Sequence, residues 1–323
     1  MSDTESDNKF QILALDGGGI KGLFSAAVLA HIENDFSTKI TQQFDLITGT
    51  STGGIIALGL GKGLSPKEIV EFYVNEGPKI FPSKLCSFLR HIFHCKYDNH
   101  HLKECLIDCF QDTILGDSRT RLVIPSYNIN EDDVYLFKTP HNERLRRDWK
   151  VPMWKVAMAT SAAPTFFPVF SEVDSIRLVD GGVWANNPTM VGIIEAINLL
   201  GIEYRSIRVL NLGTTDPVKG RPTNLNRGGL WRWKKQAIDV ALRGQSLGAY
   251  THAKLLLGND KIVRLDPPVP DGMFELDKLS TDELMSKAAH YSRQLTPSFE
   301  KMFLNHTPSP YQPYYTINGD INA

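Results

Sequence analysis

The chain of 323 residues contains 42% apolar and 22% charged residues, a composition typical of folded globular proteins, so wholesale disorder is excluded. Its 35 Lys and Arg residues are balanced by 36 Asp and Glu residues. The resulting net charge of −1 excludes a global positive field that would hold DNA or RNA non-specifically. The length fits about two domains, or one large domain with a smaller cap.

The chain shows no sign of export or membrane insertion. Its first ten residues are acidic and polar, whereas a signal peptide begins with basic residues and an apolar run. The longest uncharged stretch, residues 46–61, is shorter than a membrane span and is interrupted by Gly and Thr. The four cysteines lie between Cys86 and Cys109, too clustered for a disulfide framework. We therefore expect a cytoplasmic protein without a transmembrane helix.

A strand, a glycine turn and a helix follow one another twice near the beginning of the chain. Residues 10–15 predict a strand and residues 23–32 a helix, and the pattern repeats with a strand at 44–48 and a helix from residue 54. This alternation predicts an α/β fold with a mainly parallel central sheet. Further predicted strands are 121–126, 135–138, 176–179 and 207–212, and further predicted helices are 188–200, 231–257 and 281–304.

Changes in composition divide the chain into segments. A loop rich in Pro and Gly begins at residue 216, where the strand–helix alternation stops. The predicted organisation is a polar tail over 1–9, a core over 10–215 with an inserted cap or membrane-contact segment at 79–110, a helical extension over 216–304, and a tail over 305–323.

The turn after the second predicted strand has the pattern G-x-S-x-G, with Ser51 between Gly49 and Gly53. In such a turn between strand and helix, a serine adopts a strained backbone conformation that exposes its hydroxyl at the end of the sheet. The pattern alone also fits a glycine-rich turn in any α/β protein. A nucleophilic role requires a base and donors for the oxyanion.

The turn after the first strand reads D-G-G-G-I-K-G over residues 16–22. Glycines allow backbone N–H groups to approach a developing negative charge, and the helix that begins near Gly22 adds its positive end. We therefore predict an oxyanion hole formed by Gly17, Gly18 and Gly19. The same glycines fit the G-x-G-x-x-G dinucleotide fingerprint, so a Rossmann-type dinucleotide-binding protein is the alternative.

Asp180 is the candidate base because it follows the strand predicted at 176–179 and precedes Gly181 and Gly182. If this strand is parallel to the others, Asp180 emerges beside Ser51 and accepts the hydroxyl proton directly, giving a dyad of two residues. A carboxyl group with an ordinary pKa near 4 is a poor base, so this mechanism depends strongly on the oxyanion glycines. The later histidines are not in a glycine turn or at a strand end: His252, His290 and His306.

Taken together, these motifs resemble those of the patatin-like phospholipase family. The matching stretches, in the family's order, are D-G-G-G-I-K-G at 16–22, G-T-S-T-G-G at 49–54, A-T-S-A-A-P-T-F-F-P at 159–168, D-G-G at 180–182 and W-A-N-N-P at 184–188. The resemblance implies a three-layer α/β/α fold and an acyl hydrolase of phospholipids that needs no metal and no cofactor. It assigns Ser51 as nucleophile, Asp180 as base, and Gly18 and Gly19 as the centre of the oxyanion hole.

Residues 79–102 predict a contact with the membrane that would supply the substrate. A helical spacing among basic residues, as in a helix lying on an anionic bilayer, is followed by Leu85, Phe88, Leu89, Ile92 and Phe93. A cap helix packed over the active site is an equal alternative. Cysteines and histidines occur nearby without C-x-x-C spacing, and a helical stripe over 102–110 favours core cysteines over a zinc site.

A basic, indole-containing segment follows the predicted core. Guanidinium groups suit phosphates and indoles suit nucleobases, although a solvated or membrane-facing patch also explains the composition. A compact patatin with this extension resembles the bacterial antiphage phospholipase effectors that cyclic dinucleotides activate. The candidate activator residues are Arg227, Trp231, Arg232, Lys234, Lys235 and Arg243.

The sequence thus predicts a serine-dependent phospholipase that acts from the cytoplasm at the inner face of the membrane. We expect a phospholipid surface as its partner, a cyclic dinucleotide as its activator and no DNA or RNA; a homo-oligomer is left open. Besides the dinucleotide-binding alternative, a non-catalytic membrane-binding module also remains open.

Overall fold

The computed structural model describes residues 9–80, 95–215, 217–218, 223–227, 229–270 and 280–317. The strands in this part of the chain are β1 Phe10–Leu15, β2 Leu46–Gly49, β3 Arg121–Asn128, β4 Asp133–Lys138, β5 Phe170–Val173, β6 Ile176–Asp180, β7 Ile207–Leu212, β8 Pro217–Val218, β9 Ile262–Leu265 and β10 Val269–Pro270. The helices are α1 Gly22–Phe36, α2 Thr52–Lys62, α3 Pro66–Ile80, α4 His100–Phe110, α5 Met153–Ser161, α6 Gly182–Ala185, α7 Thr189–Asn198, α8 Leu230–Leu257 and α9 Thr281–Met302.

Within the described residues, eight strands form one mixed sheet whose pairing runs β5–β6–β3–β2–β1–β7–β9, with β4 also paired to β3. The pairs β1–β2, β1–β7, β2–β3 and β7–β9 are parallel. The pairs β3–β4, β3–β6 and β5–β6 are antiparallel. The predicted α/β class with a mainly parallel sheet is therefore confirmed, with an antiparallel region around β3.

The sheet lies between two layers of helices. Side chains of β1 alternate between the two faces: Leu13 and Leu15 belong to one hydrophobic cluster, and Ile12 and Ala14 to the other. The first cluster includes residues of α1, α2, α5 and α9, and the second includes residues of α7 and α8. Burial on both faces explains why β1 is apolar at every position except Gln11.

The C-terminal region contributes to this body. Strand β9 pairs with β7, so the segment predicted as a helical extension over 216–304 also adds a strand to the main sheet. Part of the predicted tail packs on the sheet, since His306 and the Ser309 N–H both contact the Asp45 carboxylate. The division into domains at residue 215 stays a prediction.

Part of the predicted insertion at 79–110, residues 81–94, lies outside the described residues. The helical stripe predicted at its end is present in α4, where Leu102, Leu106 and Phe110 are buried and Cys105 and Cys109 are partly buried. None of the helices that the structure describes is long and apolar enough to span a membrane.

Candidate active site

Ser51 occupies the sharp turn between β2 and α2. Its φ angle is +55°, a conformation that non-glycine residues rarely adopt. The Ser51 N–H donates a hydrogen bond of 3.0 Å to the Thr160 hydroxyl, which in turn donates to the Pro125 carbonyl at 2.6 Å. The strained turn is therefore braced from α5 and β3, as expected for a residue held in place for a reaction.

The glycines around Ser51 allow the two turns to pack closely. A Cβ atom at Gly53 would lie 2.2 Å from the Leu15 carbonyl oxygen, and one at Gly22 would lie 2.0 Å from the Thr52 hydroxyl. Side chains at Gly49 and Gly181 would likewise collide with backbone oxygens, at 2.2 and 2.3 Å. A Cβ at Gly182 would lie 3.0 Å from the Asp180 carboxylate. Glycine is thus required by close backbone approach at Gly49, Gly53 and Gly181. At Gly22 it leaves room for the Thr52 side chain, and at Gly182 for the Asp180 carboxylate.

Asp180 ends β6, and its buried carboxylate interacts with the Ser51 side chain. Its carboxylate also accepts the Gly182 N–H at 2.7 Å, and its own N–H donates to the Ala162 carbonyl at 3.0 Å. The structure therefore brings together the two residues that the sequence singled out as nucleophile and base.

The direction of β6 differs from the prediction. Asp180 does not end a strand parallel to β2, because β6 runs antiparallel to β3. Val123 of β3 pairs with both Thr48 and Lys138, and Ser126 pairs with both Asp180 and Tyr135. Strands β2 and β6 consequently share one edge of β3 and approach each other end to end, which places Asp180 beside the Ser51 turn.

Burial raises the pKa of Asp180 to about 6, although its interactions with the Ser51 side chain and with the Gly182 N–H act in the opposite direction. We expected an ordinary pKa near 4 from the sequence. A carboxylate with a pKa close to neutral pH is a stronger base while still ionised, so the buried site improves Asp180 for proton transfer.

The first glycine turn packs directly against Ser51. A Cβ at Gly17 would lie 3.3 Å from the Ser51 Cβ and 2.5 Å from Asn186 Oδ1. The Gly17 N–H donates to the Asn186 carbonyl at 2.9 Å, so this predicted oxyanion donor is engaged. The next N–H groups in the turn are those of Gly18 and Gly19.

One residue at the site was missed by sequence reasoning. Thr160, which holds the Ser51 N–H, lies in the stretch 159–168 that was noted only as a motif. In the motif stretch 184–188, Asn186 supplies the carbonyl that accepts the Gly17 N–H. The motif stretches were the available signal, but only the folded structure shows which atoms they supply.

The candidate activator residues lie in the segment before α8 and along this helix. Arg227 ends a 3-10 helix and is exposed, and Arg243 is exposed on α8. Trp231, Arg232, Lys234 and Lys235 belong to the first turns of α8, but their side chains lie outside the described part of the structure. Their predicted role as an anion site is therefore not tested by the geometry.

The later histidines lie away from this turn or are exposed. His252 and His290 are exposed on helices, and His306 binds Asp45 at the beginning of β2. Within the residues that the structure describes, no three or more His, Cys, Asp or Glu side chains are grouped to hold a metal ion. Cys86 and His94, part of the zinc alternative, fall outside these residues.

Comparison with protein-family models matches residues 13–193 to the patatin-like phospholipases, a span that includes both glycine turns, Ser51 and Asp180. The chain belongs to the patatin-like phospholipase family. It is therefore a lipid-ester hydrolase, as the motifs predicted.

Similar patatin-like proteins occur in bacteria. The chain is 32% identical over 300 residues to the "cGAMP-activated phospholipase" of Pseudomonas aeruginosa (strain BWHPSA011 / Pa011), covering 88% of each chain. It is 31% identical over 331 residues to the protein of the same name from Vibrio cholerae serotype O1, covering 91% of this chain and 92% of that one. The crystal structure of VipD from Legionella pneumophila shares the fold, with a TM-score of 0.52 at 12% identity over 90% of this chain and 67% of VipD.

Proposed function

We propose that this patatin-like protein cleaves fatty-acyl esters of membrane glycerophospholipids through a Ser51–Asp180 dyad. The observation that carries the proposal is the position of the buried Asp180 carboxylate beside the Ser51 side chain, with which it interacts. This contact orients the hydroxyl toward a group able to remove its proton.

In the first half of the reaction, Asp180 takes the hydroxyl proton while Ser51 Oγ forms a bond to the ester carbonyl carbon. The carbonyl oxygen becomes an oxyanion, which the N–H groups of Gly18 and Gly19 stabilise. Collapse of this intermediate breaks the bond to the leaving oxygen. The proton held by Asp180 passes to that oxygen, so a lysophospholipid leaves and an acyl-Ser51 ester remains.

In the second half, Asp180 removes a proton from water, and the hydroxide oxygen attacks the acyl carbonyl. The second oxyanion occupies the same position beside Gly18 and Gly19. When it collapses, the fatty acid leaves and the proton returns from Asp180 to Ser51 Oγ. The cycle consumes one ester and one water and restores the dyad.

We further propose that a cyclic dinucleotide activates the enzyme, and that activation leads to degradation of the cell's own membrane in antiviral defence. The names of the Pseudomonas and Vibrio relatives support the activator class. The active protein would bind the inner face of the membrane from the cytoplasm. The proposed activator contacts are the basic and indole residues at 227–243.

The experiment measures fatty-acid release from mixed phospholipid vesicles by wild type, Ser51→Ala and Asp180→Asn, each with and without a panel of cyclic dinucleotides that includes cGAMP. Release that requires both residues and one nucleotide supports the proposal. Release by Ser51→Ala contradicts the nucleophile assignment.

The same experiment separates the alternatives. Tight nucleotide binding by both wild type and Ser51→Ala, without ester hydrolysis under any condition, favours a dinucleotide-binding protein. Equal vesicle binding by both, again without release, favours a membrane-binding module.

A further inference from the structure

A buried ionic cluster lies directly behind the first glycine turn. Its centre is Arg264 of β9, whose side chain is 7% exposed. The Arg264 guanidinium contacts Asp16 Oδ2 at 2.8 Å and Asp266 Oδ2 at 2.7 Å. It also donates to Ser246 Oγ at 3.3 Å and to Asn211 Oδ1. One guanidinium therefore joins groups from β7, α8 and the chain segments around β1 and β9.

Asp16 is the residue immediately before the glycine turn, and its position is held at several atoms. Asn211 Nδ2 donates to Asp16 Oδ1 at 2.7 Å, and the Asp16 N–H donates to the Leu212 carbonyl at 2.9 Å. The carboxylate is thus clamped between Asn211 and Arg264 while its backbone continues β1. Gly17 and Gly18 follow directly after this anchored residue.

The same cluster reaches the loop that follows Asp180. Asn187 Nδ2 donates to Asn211 Oδ1 at 3.1 Å and to the Ser246 carbonyl at 3.3 Å. The adjacent residue, Asn186, supplies the carbonyl that accepts the Gly17 N–H. The glycine turn and the loop after the base are therefore connected both directly and through the Arg264 cluster.

We propose that Arg264 is a positioning residue for ester hydrolysis: by holding Asp16 and Asn211, it keeps the glycine turn and the loop after Asp180 in reactive alignment and ties both to α8. This inference rests on the proposed function, since it concerns the same site. Arg264 does not touch the reacting atoms and acts through Asp16 and Asn211.

The shape and charge of arginine explain the choice of residue. Its planar fork contacts two carboxylates and two neutral oxygens at once, which a lysine ammonium reaches less completely. The groups facing the Asp16 carboxylate are Arg264, Asp266, Asn211 and Ser246. Burial and the Asp266 charge raise the pKa of Asp16 to about 6, while Arg264 lowers it. Without Arg264, the Asp16 carboxylate loses its contact with the guanidinium and its pKa rises further.

The test compares wild type with Arg264→Gln, Arg264→Lys, Asp266→Asn and Ser246→Ala. The matched control is Arg208→Gln, because Arg208 lies near the opposite end of β7 and donates to the carbonyls of Arg205 and Ile207. The readouts are kcat and KM for 4-nitrophenyl butyrate across pH 5–9, and the rate at which a fluorophosphonate labels Ser51.

Arg264→Gln is expected to lower kcat and the labelling rate at least about tenfold with little change in KM, because alignment rather than substrate binding is lost. The pH below which kcat falls is expected to be about one unit higher in Arg264→Gln than in wild type. Asp266→Asn removes a neighbouring negative charge, so the pH below which kcat falls is not expected to be higher in this variant than in wild type. Arg264→Lys should recover part of the lost rate, and Ser246→Ala should cause a smaller loss.

An Arg264→Gln protein that melts cooperatively and keeps the wild-type kcat, labelling rate and pH profile overturns the proposal. If Arg264→Gln does not fold, the milder variants decide: an unchanged kcat and an unchanged labelling rate in both Arg264→Lys and Ser246→Ala also overturn it. A wild-type protein that neither hydrolyses the ester nor is labelled at Ser51 contradicts the proposed function instead.

Discussion

Ser126 of β3 and Asp180 of β6 are register partners in an antiparallel pair, three residues along β3 from the position where Val123 pairs with Thr48. Because β2 and β6 share this edge of β3, the end of β6 meets the end of β2. The proximity of Ser51 and Asp180 is therefore built into the strand register, and it does not depend on a flexible loop.

The pH dependence of hydrolysis should report the ionisation of Asp180. The base must be the carboxylate, and burial raises its pKa to about 6, so kcat is expected to rise with pH and to reach a plateau above about pH 7. The measurement is kcat for a soluble ester from pH 4.5 to 8.5. A rate that stays constant down to pH 4.5 would contradict this assignment.

Asp180→Asn should be inactive yet more stable than wild type at neutral pH. The folded-state pKa of about 6 lies above the ordinary value of 3.8, so folding binds a proton and the stability from this group is lost as pH rises through 6. The free energy of unfolding of Asp180→Asn should therefore exceed that of wild type by about 3 kcal/mol above pH 7, and this difference should vanish below about pH 4. Urea unfolding of both proteins at pH 4 and pH 8 measures this difference. If Asp180→Asn is less stable than wild type at pH 8, the ionised Asp180 carboxylate does not destabilise the folded protein.

Gly53→Ala should destabilise the protein by about 1–3 kcal/mol, because the added Cβ would lie 2.2 Å from the Leu15 carbonyl oxygen and the backbone cannot move away freely. Gly244→Ala is the matched control. A Cβ at Gly244, in the middle of α8, meets nothing within 4 Å, so this change should stabilise by about 0.5–1 kcal/mol. Chemical denaturation measures the change in the free energy of unfolding for both variants. Equal changes in Gly53→Ala and Gly244→Ala would contradict the close packing of the two turns.

Thr160→Val should reduce kcat by on the order of ten- to a hundredfold, because the Ser51 N–H loses its acceptor and the strained turn loses its brace. Thr160→Ser keeps the hydroxyl and should retain most of the activity. Thermal melting of both variants establishes that the loss is local. If Thr160→Val is as active as Thr160→Ser, the hydroxyl does not position Ser51.

His306→Ala should lower the stability by about 1–3 kcal/mol without changing kcat. Asp45 is buried, and its carboxylate accepts hydrogen bonds from the Gln11 N–H, from His306 Nε2 and from the Ser309 N–H. Removing one partner leaves the buried Asp45 carboxylate with one donor fewer, and Asp45 lies just before the beginning of β2, at the opposite end of this strand from Ser51. The control is His290→Ala, at an exposed position of α9, and similar melting temperatures for the two variants would show that the tail contact is unimportant.

The local pattern of apolar residues was sufficient to predict many of the strands and helices. The strands at 10–15 and 207–212 were predicted with the bounds that the structure has, because mainly apolar runs of this length are typical of buried parallel strands. The short strands β5 and β9 were missed. Strand β9 contains Arg264, whose charge is compatible with burial only because Asp16 and Asp266 are brought beside it.

For the candidate site, the sequence by itself determined the residue types and the turns that carry them, since a strand, a glycine turn and a helix are specified by neighbouring residues. Only the tertiary structure decided that β6 runs antiparallel, that Gly17 is held by Asn186, that burial raises the pKa of Asp180, and that Arg264 anchors the turn behind Asp16. These features join residues far apart in the chain, and both the strand register and the exclusion of water from a carboxylate arise only when the whole sheet has assembled.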